Sequence, residues 1–104
     1  MYKDLTSNEF ENEIQKNPNA IIDVRTPAEF NLGHIPKAIN IDISSAEFPE
    51  KIDLLDRDKN YYVYCRSGGR STTACQYMAS LGFKNIYNLC GGLLSYEGEL
   101  TNHP

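Results

Sequence analysis

Residues Cys65-Arg66-Ser67-Gly68-Gly69-Arg70-Ser71 place a thiol, two guanidiniums, two hydroxyls and a glycine pair in one short segment. Tyr61-Tyr62-Val63-Tyr64-Cys65, aromatic and β-branched up to its cysteine, reads as a strand leading into it. A helix is expected to follow from Ser71 to Leu81, with Gly82 at the position where helices commonly end. In a parallel sheet the loop after a strand's carboxyl end lies on the functional edge. Two glycines let that loop curl and turn successive N–H groups inward. The helix start adds unpaired donors and the positive end of its dipole, so the segment predicts an anion cradle.

A cysteine on the floor of such a cradle ionises readily and becomes a nucleophile. Attack on sulfur needs no general base, because no proton has to reach the leaving group. Arg66 and Arg70 are candidates to bind an oxyanion substrate and its departing group, since the planar guanidinium fork matches two oxygens. Arg70, at the start of the helix, is expected to face the anion and Arg66 to point outward. Ser67 and Ser71 could donate hydroxyl hydrogen bonds to the same sulfur. The competing reading of Cys65 is an inert cysteine beside a tight turn. The glycine placement, the arginine pair and the charge distribution argue against it.

That distribution is uneven. The chain has 104 residues and a net charge of −4, yet residues 59–96 contain no acid and four bases, Lys59, Arg66, Arg70 and Lys84. Burial in a sheet would remove acids, but it would remove arginines too. A locally basic segment in an acidic chain suits a small anion or a thiolate better than a polyanion, so no nucleic-acid partner is expected. No apolar run is long enough to span a membrane, and Met1-Tyr2-Lys3-Asp4-Leu5 has no signal-peptide character, so a cytoplasmic location is expected. Three cysteines in such a chain speak for a reactive thiol rather than a disulfide framework. His34 and His103 combine with the cysteines at no zinc spacing, and neither metal nor cofactor is expected.

The elements that must position Cys65 alternate between strand and helix. Tyr2–Leu5 reads as a short edge strand. Thr6-Ser7-Asn8-Glu9 is a capping box opening a helix to about Lys16, with Phe10 and Ile14 as its apolar stripe. Ala20-Ile21-Ile22-Asp23-Val24 reads as a buried parallel strand. Thr26-Pro27-Ala28-Glu29 is a second capping box, starting a helix that ends near Gly33. Ala38–Ile41 is a further strand. Ser44 or Ser45 is expected to cap a helical stretch through Phe48, with another from Pro49 to Leu55. Asn85–Leu89 is the last strand, and Gly91-Gly92 opens a short helix through Tyr96. Such alternation implies an α/β fold around a mostly parallel sheet.

Three motifs resemble the signatures of rhodanese-like domains. Asp23-Val24-Arg25, Pro27, Glu29-Phe30, Gly33-His34-Ile35-Pro36 and Ala38-Ile39-Asn40 are similar to the N-terminal signature. The Cys65–Ser71 segment is similar to the active-site loop, and Leu89-x-Gly91-Gly92 to the C-terminal signature. The resemblance spans about residues 4–97 and implies one rhodanese-like domain over 1–104. It implies a five-stranded, mostly parallel sheet with helices on both faces. The implied activity is that of the single-domain thiosulfate sulfurtransferases. Sulfane sulfur from thiosulfate, or from a persulfide donor protein, passes to a Cys65 persulfide and on to cyanide or a cellular thiol, with the loop N–H groups from Arg66 to Ser71 around the sulfur. Two positions depart from the pattern. Tyr96 stands where the family has Trp, and Lys37 replaces the Gly that commonly follows Gly-His-Ile-Pro.

Asp23, a carboxylate in an apolar strand, needs partners. It either orients the active loop or pairs internally with Arg25 or another base, and both residues have supporting roles in either case. Arg25 and Glu29, four apart, could pair. His34 reads as a structural hydrogen bonder and Cys75 as core. Cys90, next to the C-terminal glycines, is a bystander or a resolving thiol for Cys65. The rival activities are a phosphatase or arsenate reductase, a non-enzymatic or sulfide-sensing module, and a Cys65/Cys90 redox switch. Phosphatases sharing this architecture have one more residue in the loop than the six from Cys65 to Arg70, and residues 59–96 offer no general acid.

Overall fold

A computed structural model describes residues 1–103 and shows one sheet of five strands, all pairs parallel, in the order β1-β5-β4-β2-β3. The strands are β1 (Lys3–Leu5), β2 (Ile21–Asp23), β3 (Ile39–Asn40), β4 (Asn60–Tyr64) and β5 (Asn85–Leu89). The helices are α1 (Ser7–Lys16), α2 (Pro27–Leu32), α3 (Phe48–Asp53), α4 (Gly69–Ser80) and α5 (Gly92–Ser95). Among the described residues no helix is long and apolar enough to cross a membrane.

Both expected capping boxes form. Thr6 and Thr26 accept from the N–H of Glu9 and Glu29, whose side chains return the bond. Each such cap is worth about 1 kcal/mol. The sheet divides two apolar layers. On one face Val63, Ile22, Val24 and Ile86 pack against Phe48 and Ile52 of α3 and Ala74, Cys75 and Met78 of α4. On the other, Tyr62, Tyr64 and Leu89 pack against Phe10 and Ile14 of α1, with Leu93 and Tyr96 from the C-terminal turn. Helices therefore cover both faces, as expected. Tyr96 meets Phe10 edge-on at 6.5 Å, so the residue replacing the family Trp belongs to the α1 layer.

Two local expectations change. Neither Ser44 nor Ser45 caps a helix. The Asp42 carboxylate accepts from the Ser44 N–H and hydroxyl, closing a turn, and α3 begins only at Phe48. The local side-chain bond competes with the helical one. α4 starts at Gly69, two residues before Ser71, because Gly68 at φ +109° makes the turn that admits it.

Lys37 sits in the left-handed region at φ 72°. The Ala38 N–H bonds the Ile35 carbonyl at 3.0 Å, so Pro36-Lys37 forms the centre of a tight turn whose second residue favours glycine. Lys37→Gly is expected to raise stability by about 1 kcal/mol, strain relief of about 1–2 kcal/mol exceeding the added unfolded-state freedom. Urea denaturation measures it; an unchanged or lowered midpoint refutes it.

Candidate active site

The strand order places β4 beside β2, while β3 and β5 lead away in opposite directions. Chains leaving the carboxyl ends of β2 and β4 therefore diverge at one crevice, the usual binding position in an open parallel sheet. Val24–Thr26 and Cys65–Gly68 occupy it.

Cys65 is 1% exposed, on the floor of its loop. Its Sγ accepts from the Gly68 N–H at 3.1 Å and the Ser71 N–H at 3.3 Å. The Ser71 hydroxyl lies 3.4 Å from Sγ, accepting from the thiol, and donates to the Gly68 carbonyl at 3.2 Å. Once the proton has left, rotation of that hydroxyl turns the same contact into a donor toward sulfur. Burial works against ionisation. The Ser71 hydroxyl and the N–H groups of Ser71, Gly68 and Ser67 together outweigh it and hold the Cys65 thiol below its ordinary value. Hydrogen bonds, rather than the flanking arginines, are the main support for the thiolate. Ser71→Ala should accordingly move the alkaline rise of Cys65 alkylation by iodoacetamide to higher pH, because a donor to the charged form is lost. An unmoved profile would show that the backbone donors suffice.

The arginines differ from expectation. Arg70 does not turn its fork to the cradle. Its two terminal nitrogens bond both oxygens of Glu29, at 2.7 and 3.0 Å. Glu29 is pulled down to about 2, first by the Arg70 hydrogen bonds and against some burial. Arg66 lines an open cleft with Glu29, Arg25 and Leu94, and among the described residues it donates to no side chain or carbonyl. The free guanidinium beside the loop is therefore Arg66. Glu29 pairs with Arg70 instead of Arg25 because Arg25 is taken by Asp23 and the fold brings the first turn of α2 within reach of the start of α4, a contact between residues 41 apart.

Asp23 takes the internal pairing. Its oxygens accept the Arg25 N–H and Nε at 2.9 and 3.0 Å and the Arg25 Nη2 at 2.7 Å. Arg25 Nη2 also donates to the Gly33 carbonyl at 2.6 Å, tying the end of β2 to the end of α2. A buried pair this fully bonded fixes geometry more than it adds stability. His34 is buried, stacked on Phe30 at 3.6 Å with Nδ1 against the Phe30 carbonyl, a structural position. Cys75 is buried in α4, and burial pushes its thiol up to about 12. Cys90 is exposed at the end of β5.

α5 closes the site from behind. The Leu93 N–H bonds the Cys65 carbonyl and the Leu94 N–H the Arg66 carbonyl, each at 3.0 Å. That approach is possible because Gly92, at φ +62°, has no Cβ; one would lie 2.5 Å from the Arg66 carbonyl carbon and oxygen.

Residues 6–99 match the family model of the rhodanese-like domain. The chain belongs to the rhodanese-like family. YtwF of Bacillus subtilis (strain 168) is 44% identical over 79 residues, 76% of this chain and 74% of that protein. A protein of Allochromatium vinosum named Sulfurtransferase is 36% identical over 76 residues, 73% of this chain and 69% of its own length. A rhodanese-related protein from Thermoplasma volcanium superposes at a TM-score of 0.81 with 34% identity, covering 98% of this chain and all of its own. The chain also matches tRNA uridine(34) hydroxylases, such as that of Pectobacterium atrosepticum at 36% identity, but spans only 26% of that protein's length.

Proposed function

We propose that this rhodanese-like chain is a sulfurtransferase that carries sulfane sulfur on Cys65, with thiosulfate or a related persulfide as donor. The observation that carries the reading is the buried Cys65 Sγ, held by the N–H groups of Gly68 and Ser71 in a loop of six residues from Cys65 to Arg70. In the first step the thiolate attacks the outer sulfur of thiosulfate. The sulfur–sulfur bond breaks and its electron pair leaves with sulfite. The resulting persulfide anion is larger and softer than the thiolate, and the donors around the loop, including Ser67 and Gly69, stabilise its outer sulfur. In the second step a thiolate or cyanide takes that sulfur and the electron pair returns to Cys65. The name of the Allochromatium relative supports this class of chemistry.

A phosphatase needs an acid to protonate its leaving group. Glu29, the carboxylate of the cleft, is pulled down to about 2 by Arg70, and both oxygens of Asp23 are held by Arg25. Glu29 is therefore not poised to donate a proton at neutral pH, and the Asp23 oxygens are turned to Arg25 rather than to the loop, which favours transfer of sulfur.

Intact mass spectrometry after incubation with thiosulfate tests the proposal. One added sulfur, removed by cyanide, is expected; an unchanged mass with thiosulfate and with polysulfide would leave a non-enzymatic module as the better reading. The arginine geometry makes a separate prediction. Arg66→Ala should raise KM for thiosulfate about tenfold, the loss expected for one charge-assisted hydrogen bond of roughly 1.5 kcal/mol. Arg70→Ala should cost less in KM, since its fork is already occupied by Glu29. A larger KM effect at Arg70 would mean that the Glu29 pair opens when the donor binds.

A further inference from the structure

Leu32, Leu94 and Leu100 are 86%, 67% and 47% exposed, and together with Leu93 they converge on a single cleft whose polar wall includes Arg66 and Glu29. A lone exposed leucine is ordinary, whereas several from separate parts of the chain on one patch mark a contact surface. These come from the end of α2, from α5 and from the C-terminal segment. The cleft is also fixed to the nucleophile. Leu93 and Leu94 donate their N–H groups to the carbonyls of Cys65 and Arg66, so this apolar wall moves only if the active loop moves.

The charges of the cleft are unequal. Arg25 is engaged by Asp23 and Glu29 by Arg70, which leaves Arg66 as the cation without a carboxylate among the described residues. A small inorganic acceptor has no use for a leucine-lined cleft. A double displacement also empties the Arg66 side of the site once sulfite has gone, freeing that guanidinium for a second anion.

We propose that this cleft docks the sulfur acceptor, and that the acceptor is a polypeptide thiol: a cysteine flanked by apolar side chains that cover Leu32, Leu94 and Leu100 and by a carboxylate that pairs with Arg66. The inference rests on the persulfide reading above. The docked peptide thiolate attacks the outer sulfur of the Cys65 persulfide. The bond between that sulfur and Cys65 Sγ breaks, its electron pair returns to Cys65, and the peptide leaves as a persulfide. The peptide's thiol proton passes to solvent on ionisation.

The test loads the protein with thiosulfate and follows discharge to three synthetic peptides of equal length, with cores Leu-Cys-Asp-Leu, Lys-Cys-Lys-Leu and Gly-Cys-Gly-Gly, and to cyanide. The first peptide is expected to discharge the persulfide about tenfold faster than the third, equivalent to roughly 1.4 kcal/mol of docking. Leu32→Ser combined with Leu100→Ser should remove that advantage and leave discharge to cyanide unchanged. Arg66→Glu should reverse the order of the acidic and basic peptides. Equal rates for all peptides, or an advantage that survives the leucine substitutions, would overturn the proposal. Fluorescence anisotropy with a labelled peptide carrying Ser in place of Cys measures docking without chemistry. If no persulfide forms but the acidic apolar peptide still binds through the leucines, the transfer reading fails and the docking surface stands. If a persulfide forms and no binding is seen, the docking surface fails alone. Sedimentation of the parent protein completes the test: a dimer broken by the leucine substitutions would assign the face to a second copy and overturn a peptide partner.

Discussion

Cys65→Ser should fold like the parent and take up no sulfur from thiosulfate. The substitution keeps an atom that can accept from the N–H groups of Gly68 and Ser71, so the loop geometry has no reason to change. It removes the thiol whose ionisation those donors favour, and a serine hydroxyl surrounded by the same donors stays protonated. The turnover rate should fall at least about 10³-fold, or roughly 4 kcal/mol in the barrier. Cys75→Ser and Cys90→Ser are the informative controls. Cys75 is buried in α4 with its thiol pushed up to about 12 by burial, so that variant should lose stability and keep sulfur uptake. Cys90 is exposed at the end of β5, and its variant should keep both. Sulfur added to the Cys65→Ser protein, detected by intact mass, would place the nucleophile elsewhere and defeat the proposed function.

Gly92→Ala should be the most disruptive single methyl group in the chain. At φ +62° any side chain is strained, at a cost of about 1–2 kcal/mol. The added Cβ would also stand 2.5 Å from the Arg66 carbonyl carbon and oxygen and 2.7 Å from the Cys65 oxygen, all backbone atoms at the end of a central strand. They cannot yield without moving the loop, so α5 must withdraw and give up the Leu93 and Leu94 hydrogen bonds to those carbonyls. Strain, overpacking and two lost bonds together cost about 3–5 kcal/mol. Gly82→Ala separates the terms. Gly82 has φ +90°, but a Cβ there meets nothing within 4 Å, so only the strain of about 1–2 kcal/mol should appear. Urea denaturation of the two variants checks the difference, and sulfur uptake should fall in the Gly92 variant alone. Equal losses of stability would show that the close approach of α5 to the loop contributes nothing.

Whatever depends on residues close together in the chain could be read directly. Thr6 with Glu9 and Thr26 with Glu29 announce two helices because a capping box closes over three residues. The apolar run at Ile21-Ile22 and the aromatic run at Tyr61–Tyr64 announce buried parallel strands. The cradle was legible for the same reason: Cys65, Gly68 and Ser71 are three to six residues apart, and a strand, a glycine turn and a helix start are enough to aim the N–H groups at one sulfur. The direction of the arginines was not legible. Arg70 and Glu29 are 41 residues apart, and only the placement of β2 next to β4 brings the first turn of α2 within reach of the start of α4. Glu29 already had a local use in its capping box, which hid its second partner. The leucine cleft, which joins Leu32 to Leu100, and the fit of Gly92 against Arg66 likewise depend on segments far apart in the chain. The sequence by itself determined the cysteine proposed as nucleophile, its cradle and the α/β alternation, because local hydrogen bonding and hydrophobic periodicity suffice for them. The tertiary structure alone decided which guanidinium stays free and what surrounds it, because an ion pair or an apolar cleft exists only once strand order has placed distant side chains within reach.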